Sequence, residues 1–220
     1  FADRKGKKVV AKEEPQKVKL ACVGIANRGR QIIGDLERTG LCEIVALCDV
    51  DPNSKESQQT IAEHPNAKVF TDFRKLFDEY ANEFEAVSIA IPDFSHFPVA
   101  MLAISMGKHV YVEKPMARTF YECELMMDIA RRHPEVVTQV GNQGHSEGNY
   151  WQFRQYVRDG VIKPNEVTKV VSHMNFDING WYDNKWQGKV YAFAAKEPVP
   201  AGLDWNCWLA TNVERDYSRE

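Results

Sequence analysis

Residues 18–23 (VKLACV) form a largely apolar run that opens directly into Gly24-Ile25-Ala26-Asn27-Arg28-Gly29. A continuous run, rather than an alternating one, is what a strand buried on both faces requires. The G-x-A-x-x-G spacing then asks for a tight turn at Gly24 and close backbone approach to a pyrophosphate at Ala26. Gly29 lets the following helix pack on the sheet, with its N-terminus facing the phosphates. A second apolar run, residues 43–48, closes at Asp49, twenty residues after Gly29, where a ribose-binding carboxylate is expected. An aspartate there accepts ribose hydroxyls and repels a 2′-phosphate, so NAD is favoured over NADP. The plainer reading is a strand–helix turn with a capping Asp. The order strand, glycine turn, helix, strand, Asp speaks for the dinucleotide.

The alternation continues along the chain. Strands are expected at residues 68–70, 86–91, 109–112 and 136–140, with helices near 72–80, 98–106 and 120–132. Asp51-Pro52 reads as N-cap and first helical residue of the helix after the second strand. Thr119-x-x-Glu122 is a capping box, and Gly40 and Gly107 stand at helix ends. Repeated strand–helix units predict an α/β fold with a doubly wound parallel sheet over residues 17–140. Beyond about Gly141 the texture changes, and all five tryptophans fall there. Residues 152–159 read as a helix ended by Gly160 and residues 166–175 as a strand. We therefore expect a flexible tail at 1–16, a dinucleotide-binding domain at 17–140, and an incomplete substrate-binding or oligomerisation domain at 141–220.

Composition narrows the partners. The 220 residues carry 28 Lys and Arg against 31 Asp and Glu, a net charge of −3, which gives no basic face for nucleic acid. No apolar run approaches the ~18 residues of a membrane span. Cys22, Cys42, Cys48, Cys123 and Cys207 are an odd number without C-x-x-C spacing, so no disulfide framework is expected. The six histidines form no i, i+4 pair with a carboxylate, and no metal site is expected. The chain starts at Phe1, and its charged first sixteen residues suit either an ordinary disordered terminus or the stretch left once an export leader has been removed. The compartment is cytoplasmic in the first case and periplasmic in the second.

Three further clusters sit where strands end, the edge at which open α/β sheets bind ligands. Ile91-Pro92-Asp93-Phe94-Ser95-His96 follows the fourth strand, and His96 there either hydrogen-bonds a cofactor or caps the next helix. Glu113-Lys114-Pro115 follows the fifth. A lysine held in a dry cleft can serve as a general acid/base, although Glu-Lys-Pro alone is an ordinary solvated loop. Gly141-Asn142-Gln143-Gly144-His145 follows the sixth. Its amides and imidazole suit a sugar or the nicotinamide amide, and equally a linker.

Taken together, GIANRG, the CDVD strand end, IPDFSH, GKHVYVEKP (107–115) and QVGNQGHS (139–146) resemble the glucose–fructose oxidoreductase/inositol dehydrogenase/MocA (Gfo/Idh/MocA) family. GLDWNCWLA (202–210) looks like a segment of its sugar-active bacterial members. The resemblance covers residues 17–220. It implies a Rossmann domain followed by an α/β domain with a largely antiparallel sheet that often mediates homo-oligomers, dimers or tetramers. It also implies NAD or NADP and a small carbohydrate or polyol substrate. By matching motif, Gly24, Ala26, Asn27, Arg28, Gly29 and Asp49 are expected at the adenosine and pyrophosphate half of the cofactor. Pro92, Asp93, His96, Glu113 and Asn142 are expected along it, with Lys114 as the catalytic lysine. Gln143, His145 and Trp181 are expected near substrate, and Trp186 and Trp205 could also offer faces to a sugar ring. A partner His used by the family lies in a later helix, expected beyond Glu220. The leading expectation is hydride transfer between a carbohydrate secondary alcohol and nicotinamide. The alternatives are an NAD-dependent glycosidase that oxidises, eliminates and reduces without net cofactor turnover, and a sensor that only binds the dinucleotide.

Overall fold

The computed structural model describes residues 16–171 and 196–218. Its centre is one sheet of six parallel strands in the order β3-β2-β1-β4-β5-β6. The strands are β1 (Val18–Val23), β2 (Cys42–Cys48), β3 (Lys68–Phe70), β4 (Ala86–Ile89), β5 (His109–Glu113) and β6 (Thr138–Gly141). Strand order reverses at β1, between β2 and β4, and there a crevice opens at the strands' carboxyl ends. Helices α1 (Asn27–Glu37), α2 (Lys55–Glu63), α3 (Phe73–Tyr80), α4 (His96–Ser105) and α5 (Phe120–Arg132) connect the strands, and α6 (Gly148–Arg158) follows β6.

The central strand is apolar on both sides because both sides are covered. Leu20 and Cys22 of β1 pack with Ile25, Ile33 and Leu47 in one layer. Ala21 and Val23 face the other layer, with Phe77, Phe84, Val99 and Ile104. Each large side chain removed from water there stabilises the fold by about 1.5–3 kcal/mol. Helix ends follow the sequence closely. The Thr119 hydroxyl accepts from the Glu122 N–H at 3.2 Å and the Glu122 carboxylate accepts from the Thr119 N–H at 2.9 Å, closing the capping box of α5. Gly40, Gly107 and Gly160 adopt positive φ just past helix ends.

Two local expectations need correction. The cap of α2 is Ser54, not Asp51: Ser54 Oγ accepts from the Ser57 N–H at 3.2 Å, and Lys55 is the first helical residue. Asp51 instead donates its own N–H to Asp49 Oδ1 and accepts from the Ser54 N–H, forming the turn that precedes the helix. Residues 167–171 form no strand; a 3-10 turn ends at Glu166, and Val167, Val170 and Val171 are exposed. A β-branched run becomes a strand only where a neighbour takes its backbone hydrogen bonds, and no described strand lies beside it. The remainder of that expected strand, together with Trp181 and Trp186, falls outside the described residues. Among the described residues no helix is long and apolar enough to cross a membrane.

Candidate dinucleotide site

The turn after β1 is pinned from every direction. The Gly24 N–H donates to Cys48 O at 2.8 Å and the Ala90 N–H to Val23 O at 2.8 Å, tying the switch point across β2, β1 and β4. The Ile25 N–H donates to Asp49 Oδ2 at 3.0 Å, and the buried Thr60 hydroxyl of α2 donates to Ile25 O at 2.8 Å. Gly24 has φ +84°, and a Cβ there would stand 2.1 Å from Ala90 O. At Gly29 a Cβ would stand 2.0 Å from Gly24 O. Both glycines are therefore demanded by close backbone approach. Ala26 precedes α1 in an extended conformation and accepts from the Gly29 N–H at 2.8 Å. The first helical N–H, that of Asn27, donates to Glu56 Oε2 at 3.1 Å, so this end of α1 already receives negative charge.

Asp49 stands at the mouth of β2 with both carboxylate oxygens held by backbone N–H groups, those of Ile25 and Asp51. Burial pushes its carboxyl above the ordinary aspartate value, against the lowering effect of those two backbone donors. The Ser57 hydroxyl also lowers it by hydrogen bonding to the carboxylate, which leaves one lone-pair position for a further donor.

A cleft of about 760 Å³ lies over this edge of the sheet. Gly24, Ala26, Asn27, Arg28, Asp49 and Pro92 line it, as the sequence reading expects of a dinucleotide groove. Residues the sequence reading passed over line it too: Ser54, Glu56, Thr71, Phe73 and Ser95. Ser95 Oγ is buried and without a hydrogen-bond partner, so a ligand oxygen is the group that would satisfy it. This orphaned hydroxyl, the cradle at Gly24 and the carboxylate of Asp49 fit a bound dinucleotide. Ser54 and Ser95 were masked in the sequence by stronger neighbouring signals, Asp51-Pro52 and His96.

The remaining predicted residues occupy the same strand ends outside this cleft. Gly29 supports the turn from behind. His96, at the start of α4, is 1% exposed, and its ring nitrogens lie 2.6 Å from Pro115 O and 2.9 Å from Ile91 O. It thus bridges the turns after β4 and β5. Asp93 belongs to the 3-10 turn before it. Glu113 is buried, and its Oε1 accepts from Arg28 Nε at 3.2 Å and Nη2 at 3.0 Å, joining the first turn of α1 to the end of β5. Lys114 is exposed, its peptide bond to Pro115 is cis, and the described residues form no dry pocket around it. Asn142 precedes a 3-10 turn, Gln143–His145, and the His145 ring stacks on Tyr150 with centroids 5.0 Å apart.

Residues 18–141, more than half of the chain, match the model of an oxidoreductase family with an NAD-binding Rossmann fold, Gfo/Idh/MocA. The chain belongs to this family. Its relatives include a glycosyl hydrolase family 109 protein of Phocaeicola vulgatus, 31% identical over 85% of this chain and 40% of the relative. An inositol 2-dehydrogenase of Salmonella typhimurium is 26% identical over 66% of this chain and 43% of the relative. The scyllo-inositol dehydrogenase of Lactobacillus casei, solved with NAD(H) and scyllo-inositol, superimposes with a TM-score of 0.61 at 23% identity, over 67% of this chain and 43% of that one. At that identity the superposition establishes the shared fold. The chain thus spans about two fifths of the length of the relatives it matches.

Proposed function

We propose that this chain is the NAD-binding portion of an oxidoreductase acting on a secondary alcohol of a carbohydrate or polyol. The observation that carries the reading is Asp49, a partly buried carboxylate lining the cleft beside a turn only glycine can make. Asp49 binds the ribose hydroxyls of the adenosine half, and its charge selects against a 2′-phosphate. Bound NAD supplies the hydride acceptor. The chain's own residues orient it: Gly24, Ala26 and Asn27 bring backbone to the pyrophosphate, Gly29 holds their turn from behind, and Arg28 is steadied by Glu113. Pro92, Asp93, His96, Glu113 and Asn142 shape the nicotinamide half, with His96 fixing the turn that presents Lys114. Lys114 takes the hydroxyl proton of the substrate alcohol, while Gln143, His145 and Trp181 position the sugar.

The second domain begins at Gly141. In favour of this, the parallel sheet closes at β6 and α6 exposes Trp151, Phe153 and Tyr156. We assign it a largely antiparallel sheet and the contacts of a homo-oligomer. Substrate turnover tests the whole reading. The purified full-length protein incubated with NAD and a panel of sugars and polyols should produce NADH, and Lys114→Ala should lower kcat by about 10²–10⁴ with NAD affinity nearly unchanged. Unchanged turnover in that variant removes Lys114 from the chemistry.

The Phocaeicola vulgatus relative, whose match reaches across 85% of this chain, favours a second reading, an NAD-dependent glycosidase. Release of a free aglycone without net NADH would select it.

A further inference from the structure

The sheet forms only one wall of the cleft. Residues 203–218 form the other. Leu203, Trp205, Cys207, Trp208, Ala210 and Tyr217 line the same cavity as Asp49, Asp51, Thr71 and Phe73. This strap is fastened at the ribose end: the Asp204 N–H donates to Val50 O at 2.8 Å, one residue past Asp49. Arg74, which pairs with Asp72 at the start of α3, also donates to Cys207 Sγ at 3.3 Å. At the other side Trp208 packs edge-on against Phe94 with centroids 5.2 Å apart, and Arg118 donates to Asn212. Within the strap the Trp205 and Trp208 rings stack at 4.6 Å with 15° between planes, and Tyr217 meets Trp205 edge-on at 5.1 Å. The Trp205 indole N–H is already satisfied by Arg215 O at 2.9 Å. This aromatic group lines the cleft with apolar surface.

We propose that Trp205 and Trp208 wall the adenine subsite of the dinucleotide, so that the adenosine half is held between the β2–β3 edge and the strap. The proposal deepens the assignment of Asp49 to ribose and rests on it. A base attached to a ribose held by Asp49 lies on the β2–β3 side of the switch point, where Thr71 and Phe73 share the cavity with the tryptophan pair. A heteroaromatic base is the occupant that gains most from such a wall, because every base has a π face to stack. This places the tryptophans of GLDWNCWLA at the cofactor rather than at the sugar, the role suggested for Trp205 by sequence.

Calorimetric titration of the whole chain with NAD⁺, ADP-ribose and nicotinamide mononucleotide tests it. Trp205→Ala and Trp208→Ala should each weaken NAD⁺ and ADP-ribose about five- to hundredfold, the range a stacked base is worth, and leave nicotinamide mononucleotide unchanged. Trp205→Phe and Trp208→Phe, which keep the packing, should recover most of that affinity, and ADP-ribose should change tryptophan emission less in these two variants than in the parent. If the parent binds NAD⁺ but all four variants bind ADP-ribose as it does, the strap is not the adenine wall, while the Asp49 assignment stands. If the parent binds neither NAD⁺ nor ADP-ribose, the dinucleotide reading and the strap proposal fall together.

Discussion

Asp49 carries two opposed demands at one carboxyl group. Because burial raises its folded pKa above the unfolded value of about 3.9, its contribution to folding stability is fully present below that value and is lost as pH rises through the folded pKa. Ribose binding prefers the ionised form, which accepts hydroxyl hydrogen bonds without competing as a donor. NAD affinity should therefore be full above the folded pKa and fall as pH drops through it, beginning at higher pH than an ordinary aspartate would allow. A pH series of NAD titrations on the parent and Asp49→Asn checks this: affinity should fall with acid in the parent and not in the variant, and identical profiles for the two would contradict it. Gly24 makes a second prediction at this scale. Gly24→Ala must keep φ near +84° and push a methyl into Ala90 O, which should cost at least about 1–3 kcal/mol of stability by chemical denaturation and abolish measurable NAD binding. The positions of both residues were legible in the sequence because they are set within one strand–helix–strand unit. Ser95 was not, since an orphaned hydroxyl shows itself only when the packing around it is known.

At the scale of elements, the glycine turn depends on α2 as much as on β1. Thr60 is fully buried, and its hydroxyl is the donor that reaches Ile25 O. Thr60→Val keeps the volume and strands that carbonyl, so it should destabilise the fold by about 1–3 kcal/mol and weaken NAD binding. Equal denaturation midpoints for the two proteins would show that the turn does not need α2. Helix α5 was readable to the residue because Thr119 and Glu122 cap it reciprocally within four positions. The start of α2 was not, since Asp51-Pro52 and Ser54 offer the same cap chemistry three residues apart, and only the hydrogen bond from Ser57 decides between them. The expected strand at 166–175 was read from β-branched residues alone, and a strand also needs a partner that no local pattern can supply.

Across the whole molecule, the doubly wound parallel sheet followed from strand–helix alternation, and the six parallel strands bear it out. The strap could not be foreseen in that way. Its contacts join residues about 95 to 155 positions apart, as between Arg118 and Asn212 or Val50 and Asp204, and no periodicity records such a pairing. The consequence is a cleft lined by residues 23–95 and 203–218 together, with Asp49 on one wall. Paired calorimetric titration of NAD⁺ and NADP⁺ into the parent and Asp49→Ala tests that centre most directly. Saturable NAD⁺ binding, weaker NADP⁺ binding, and a roughly ten- to hundredfold loss of NAD⁺ affinity in Asp49→Ala, as for a hydrogen bond to a charged group, is the predicted result. Equal binding of the two nucleotides, or NAD⁺ binding untouched by the substitution, would contradict it.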